Sequence, residues 1–116
     1  MNIRIGNVAE RPIDARRLAI WISPRDLAQL VIMGLELPDL QYEVVYGMSD
    51  NKRAWWDNAN ALRLGYAPQD RSEDYASEIL AQEAGNLGDP LADRLQGGVF
   101  VSTEFIPNPA KAKLSE

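Results

Sequence analysis

An α/β fold, one strand–helix–strand unit followed by further helices, is what this sequence predicts, and three observations predict it. The run 2-NIRIG-6 reads as a short strand that stops at a glycine. A helix signal opens at 23-SPRD-26, and the β-branched and aromatic run 42-YEVVYGM-48 follows that helix. At 116 residues, 46% of them hydrophobic, the chain is about one ordinary domain with a modest core.

Taken in order, the loop 7-NVAERPIDAR-16 leads into 18-LAIWI-22, which is apolar and reads as extended. Ser23 with Asp26 three residues on matches a capping box, and Pro24 sits at the first helical position. Leu27, Leu30, Val31, Gly34 and Leu35 then fall on one face of a 3.6-residue period, and 38-PD-39 ends the helix. A strand, a crossover helix and the strand at 42–48 make a βαβ unit with parallel strands and a right-handed connection. Downstream, Asp57 or Asn58 caps a helix over 59-ANALRLG-65, which Gly65 stops. A second helix is expected over 71-RSEDYASEILAQEAG-85, with Tyr75, Ile79 and Ala76, Leu80 on its inner face and Gly85 as its stop. A helical turn near 90-PLADRL-95, a glycine turn at 97-GG-98, the apolar 99-VFV-101 and a frayed tail over 107–116 complete the chain. Two parallel strands alone make a poor sheet, so the unit reads as the end of a larger one.

Composition removes several kinds of chemistry. With no Cys there is no disulfide and no thiolate, and with no His the commonest neutral-pH base and metal ligand are both missing. The apolar runs are short and the first residues do not form a leader, so a soluble cytoplasmic protein is expected. A net charge of −5 argues against nucleic acid as the main partner. The first 25 residues are the exception, with Arg4, Arg11, Arg16, Arg17 and Arg25 against Glu10 and Asp14. Such a cluster can select a small anion, although solvated surface arginines are the commoner arrangement.

Neither glycine-rich phosphate motif occurs. No tyrosine has a lysine four residues later: that position after Tyr42, Tyr46, Tyr66 and Tyr75 holds Tyr46, Asp50, Asp70 and Ile79. Glu73 and Asp74 read as a solvated helix face, and metal-ligand spacings are absent. Ligands of parallel α/β sheets sit beyond the carboxyl ends of the strands, which points to Gly6-Asn7 and the arginine-bearing loop behind it. Asn7 offers an amide or serves the turn, and Arg16 or Arg17 offers a planar fork suited to a carboxylate. The pair Trp55-Trp56, between a strand end and a capped helix, reads as a structural lock rather than a ligand platform.

Five segments taken together carry a resemblance: RIGN at 4–7, RRLAIWIS at 16–23, VVYGMSDNKRAWWDN at 44–58, LGYAPQD at 64–70 and LQGGVFV at 95–101. In that order they resemble the C-terminal part of uronate dehydrogenases, NAD-dependent enzymes of the extended short-chain dehydrogenase/reductase group close to the epimerase/dehydratase family. WWDN after VVYG is the most specific piece, and the likeness runs from about residue 2 to 106. It implies the C-terminal portion of a Rossmann-type extended short-chain dehydrogenase, one βαβ unit plus C-terminal helices, with 1–106 as the substrate-side part. The family oxidises a hexuronic acid, such as glucuronate or galacturonate, at C1 to an aldarolactone with NAD.

By position, Asn7 and Arg16 match substrate-contacting residues near the sugar carboxylate, which leaves Arg17 as a surface partner, and Phe100 matches an aromatic that closes over the sugar. Family members carry RIGS where this chain reads RIGN, so Asn7 is a departure at a position that bears on substrate choice. The glycine-rich loop, the Ser-Tyr-Lys catalytic group and most cofactor contacts of a complete member have no counterpart here. The resemblance therefore implies a substrate-binding fragment without catalytic, cofactor-binding or metal-binding residues, inactive alone and not holding NAD by itself. Its implied partners are a sugar acid and either a second copy or a Rossmann half, with no nucleic acid and no membrane. The alternative is a noncatalytic interaction module that pairs with another chain through the open edge of 2-NIRIG-6; a proteolytic remnant of a full enzyme is a third reading.

Overall fold

The computed structural model describes residues 1–84 and 90–103, in two compact units, Met1–Ala84 and Gly85–Glu116. The first unit runs β1 (Asn2–Ile5), β2 (Asn7–Val8), α1 (Arg17–Ile20), β3 (Trp21–Ile22), α2 (Pro24–Glu36), β4 (Val44–Gly47), α3 (Ala59–Arg63), a 3-10 turn (Ser72–Tyr75) and α4 (Ala76–Glu83). Its strands form two small parallel sheets. β1 lies beside β4, from Asn2 opposite Val44 to Ile5 opposite Gly47, and β2 lies beside β3, with Asn7 opposite Trp21 and Val8 opposite Ile22.

The parallel crossover through a helix is present, but the strand that pairs with β4 is β1, whereas 18–22 was expected to be extended throughout. Only Trp21 and Ile22 are extended; residues 17–20 form a helical turn. The reason is local. Asp14 Oδ1 accepts the Arg17 backbone N–H at 2.8 Å and the Asp14 carbonyl accepts that of Leu18 at 3.3 Å, which starts a turn. Leu18, Ala19, Ile20, Trp21 and Ile22 are all buried, and a short run buried on every side has no periodicity to separate helix from strand.

α2 starts where its cap predicts: Ser23 Oγ accepts the Asp26 N–H at 3.2 Å and Pro24 occupies the first turn. Its inner face matches the expected one at Leu27 and Leu30 and differs at Val31 and Leu35. Val31 is 46% and Leu35 80% exposed, while Asp26 and Leu30 are fully buried and Leu27 and Met33 pack on the core of Ile22, Leu30, Val45, Ala61 and Tyr66. Asp26 accounts for the rotation. Its carboxylate accepts the Gln69 N–H at 2.7 Å, the Asp70 N–H at 3.1 Å and the Ser49 hydroxyl at 2.6 Å, so the row of Asp26, Leu30 and Met33 turns inward.

α3 begins at an Asx turn in which Asp57 Oδ1 accepts the Ala59 N–H at 2.8 Å, so Asp57 and not Asn58 supplies the cap; Gly65 ends the segment at φ +107°. In α4, Ala76 and Ile79 pack on Leu18 with Tyr75 half-buried beside them, but Leu80 is exposed. Ser72 Oγ ties the preceding turn to the Leu18 carbonyl at 2.6 Å. The expected stop at Gly85 and the tail at 107–116 lie outside the described residues. In the second unit, α5 (Pro90–Arg94) covers the predicted turn, and 99-VFV-101 lies in a further helical turn, α6 (Val99–Ser102), that follows Gly98 at φ +60°.

Candidate functional site

The carboxyl end of β1 is built around a glycine that cannot be anything else without movement. A Cβ on Gly6 would stand 2.7 Å from both the Cβ and the carbonyl oxygen of Ile20 and 3.1 Å from the Trp56 ring. Asn7, half-buried, follows at once in β2, held by its pairing with Trp21. Its Oδ1 is buried and meets no partner among the described residues. Asn51, bonded through Nδ2 to the Trp21 carbonyl at 2.8 Å, also leaves its Oδ1 without one. Buried amide oxygens of this kind are rare enough in folded proteins to call for a reason.

The tryptophan pair divides its labour. Trp56 stacks on Tyr46 of β4, ring centroids 4.9 Å apart and planes 16° from parallel, and closes against Gly6. That ring is the expected lock. Trp55 is 42% exposed, and the Arg16 guanidinium lies over its ring at 5.1 Å from the centroid. Trp55 is thus the sequence neighbour of the ring that closes on Gly6. Phe100, the third expected contact, belongs to the second unit, where it is 84% exposed.

The other arginines do not form an anion site. Arg11 meets Glu78 at 2.6 Å, Arg17 meets Asp14, and Arg25 grips Asp70 through two bonds of 2.7 and 2.6 Å. The hydrogen bond from Arg25 holds the Asp70 carboxyl below its usual range. The commoner role of surface arginines thus holds for these three. The Arg16–Trp55 contact is the feature that sequence reasoning did not find, since the two residues are far apart in the chain and share no motif.

Comparison with known proteins supplies the context for this geometry. No family model matches the chain. The uronate dehydrogenase of Pseudomonas putida is 43% identical over 100 residues, 86% of this chain and 37% of that protein. The crystal structure of a glucuronic acid dehydrogenase from Chromohalobacter salexigens superposes with a TM-score of 0.78 at 44% identity, over 87% of this chain and 38% of that one. This chain is related to the C-terminal part of uronate dehydrogenases. A third relative, an NAD-dependent glucose-6-phosphate dehydrogenase of Haloferax volcanii, is 42% identical over 83 residues, 67% of this chain and 31% of that protein. The chain therefore spans 37% of the length of the uronate dehydrogenase it matches, and its α/β fold with parallel strands is part of their Rossmann-type fold.

NAD is the cofactor of the full-length family, and its pyrophosphate would meet few open donors at the start of α2. α2 is the longest helix among the described residues, and two amides of its first turn are already engaged: the Asp26 N–H bonds Ser23 Oγ at 3.2 Å and the Leu27 N–H bonds the Ser23 carbonyl at 3.0 Å. Asp26 also places a buried carboxylate there, which repels a phosphate. Three of the four tyrosines are equally committed, and Tyr42 is exposed. Tyr66 donates to the Met48 carbonyl at 2.7 Å and burial pushes its phenol well above its ordinary value. Tyr46 lies under Trp56, and Tyr75 stands edge-on to Trp21 with Arg11 over its ring. Among the described residues no helix is long and apolar enough to cross a membrane, and no three His, Cys, Asp or Glu side chains are grouped to hold a metal ion.

Proposed function

We propose that this chain is the substrate-side wall of a sugar-acid dehydrogenase of the uronate type, and that it is inactive without a nucleotide-binding half. The observation that carries the reading is Arg16 over the Trp55 ring, next in sequence to the Trp56 ring that closes on Gly6. Arg16 takes the carboxylate through its planar fork, and the orphaned amide oxygen of Asn7 bonds a neighbouring sugar hydroxyl. Asn7 is an acceptor seeking a donor, which suits a hydroxyl better than a second carboxylate oxygen.

Arg16→Lys in the assembled dehydrogenase tests the assignment, because lysine keeps the charge and loses the fork. Activity toward glucuronate should fall more than activity toward the neutral aldose. Equal losses would contradict it, and a stronger effect on a sugar phosphate would move the substrate class from acid to phosphate.

A second reading has an observation of its own. Among the described residues β1 is paired on one side only, by β4, and Ile5 at its end and Val8 of β2 are 46% and 41% exposed. An unpaired edge with apolar neighbours is a template for another chain, so the isolated protein self-associates or docks on a Rossmann half. Light scattering on the purified chain checks this: a dimer or larger is expected, and a monodisperse monomer contradicts self-association.

A further inference from the structure

We infer that the outer face of α2 is the seat of a second copy of this chain, with α2 packed antiparallel on α2 about a two-fold axis between Val31 and Ile32. The other sides of the helix are already used. Leu27, Leu30 and Met33 serve the core. Arg25, Asp26 and Gln29 hold the segment 67–70: Arg25 through its two bonds to Asp70, Asp26 through the Gln69 and Asp70 amides, and Gln29 by donating to the Ala67 carbonyl at 2.9 Å and accepting the Ala67 N–H at 2.6 Å. The side left over is apolar as well. Ala28 is exposed, and Val31, Ile32 and Leu35 are 46%, 52% and 80% exposed. Spacings of three and four place these residues in one stripe. A helix that is apolar on its inner and its outer side is built to be covered on both.

The stripe narrows the choice of occupant. A helix face is convex, which does not suit a small ligand. Its neighbours are Glu36, an acid, and Arg25, already bonded to Asp70, so it lacks the basic flank that holds a helix on an anionic membrane. What fits is another apolar helix, and the sizes along the stripe fit its own copy. An antiparallel pair centred between Val31 and Ile32 sets the large Leu35 of each copy on the small Ala28 of the other, and Val31 on Ile32. The four residues expose about 400 Å² per copy, within the range of a functional patch and about half of what a standard stable interface buries on each side. The dimer is therefore weak and depends on concentration.

Sedimentation velocity on the full chain, up to about 1 mM, tests this in the wild type, Leu35→Glu and Ile13→Glu. Leu35 and Ile13 are 80% and 66% exposed, so neither change disturbs the core, and Ile13 lies off the stripe. The wild type should dimerise, Leu35→Glu should weaken the dimer at least about tenfold, and Ile13→Glu should leave it unchanged. A second measurement places the axis. The chain has no Cys, so Val31→Cys supplies one thiol per copy, and oxidation should cross-link it where Ile13→Cys stays monomeric. A wild type that is monomeric throughout overturns the inference, as does cross-linking no greater for Val31→Cys than for Ile13→Cys. Association that survives Leu35→Glu runs through another surface, the β1 edge included, and overturns it too.

Discussion

Two regions of the first unit treat their polar groups in opposite ways. Around Asp26 everything is satisfied: the carboxylate joins the start of α2 to Ser49 and to the Gln69 and Asp70 amides, Ser49 Oγ accepts the Ser23 N–H at 3.0 Å, and Tyr66 closes the floor on the Met48 carbonyl. Around Gly6 and Trp55 the backbone is held as firmly, yet the Asn7 and Asn51 amide oxygens are buried without partners and Arg16 rests on a half-exposed ring. A network with no free valence can hold a fold and do little else. A rim with spare acceptors is less stable than it could be, and it is there that the proposed binding falls.

The largest effect that should separate the two regions comes from Asp26→Ala. It strips acceptors from two backbone amides and a hydroxyl in a fully buried place, so unfolding in urea should show a loss of about 3 kcal/mol or more. A loss below about 1 kcal/mol would mean that the hub does not hold the fold. Trp56→Ala should follow, at about 2 to 3 kcal/mol because that ring is only half-buried, while Trp55→Ala stays within about 1 kcal/mol. Equal costs for the two rings would erase the division between lock and platform. Gly6→Ala should cost about 1 to 3 kcal/mol, since Ile20 is backbone and core and gives way little.

Asn7→Ala is the converse case. Removing an amide that has no partner for its oxygen should leave stability within about 0.5 kcal/mol of the wild type, or raise it, while glucuronate binding falls. Clear destabilisation would place Asn7 among the structural groups.

Much of this was legible in the sequence, for reasons that differ by element. Ser23, Pro24 and Asp26 announce the start of α2 because a helix N-terminus has donors that only certain residues satisfy. The inner face of that helix was legible at Leu27 and Leu30 but not at Asp26, because apolar spacing ranks Val31 and Leu35 above a carboxylate, and only the distant Gln69 and Asp70 amides explain why Asp26 is buried. Residues 18–20 misled in a similar way: buried on every side, they follow a turn set by Asp14, which periodicity does not see. The roles proposed for Asn7 and Arg16 rest on their segments, and the ring beneath Arg16 was not legible, since nothing local links Arg16 to Trp55.

The smallest expected effect is acidic weakening of the surface pairs. Hydrogen bonds from Arg25 to Asp70, from Arg53 to Glu73, and from Asn60 and Arg63 to Glu43 hold these carboxyls below their usual values. A carboxyl whose folded value is depressed stabilises the fold at pH above its unfolded value, about 4, and that contribution is lost as pH falls through the folded value. The urea midpoint should therefore be flat from neutrality to about pH 5 and decline below about pH 4. All three carboxyls are close to solvent, so the decline should be shallow.

The central claim is that this chain keeps the acid-reading wall and has no place for the nucleotide. Parallel titrations of the wild-type chain test it most directly, with glucuronate followed by NMR and with NADH followed by its fluorescence. Weak, saturable glucuronate shifts centred on Gly6, Asn7, Arg16 and Trp55, with no saturable NADH response, are the predicted result. Micromolar NADH binding, or glucuronate shifts absent from those four residues, would contradict it.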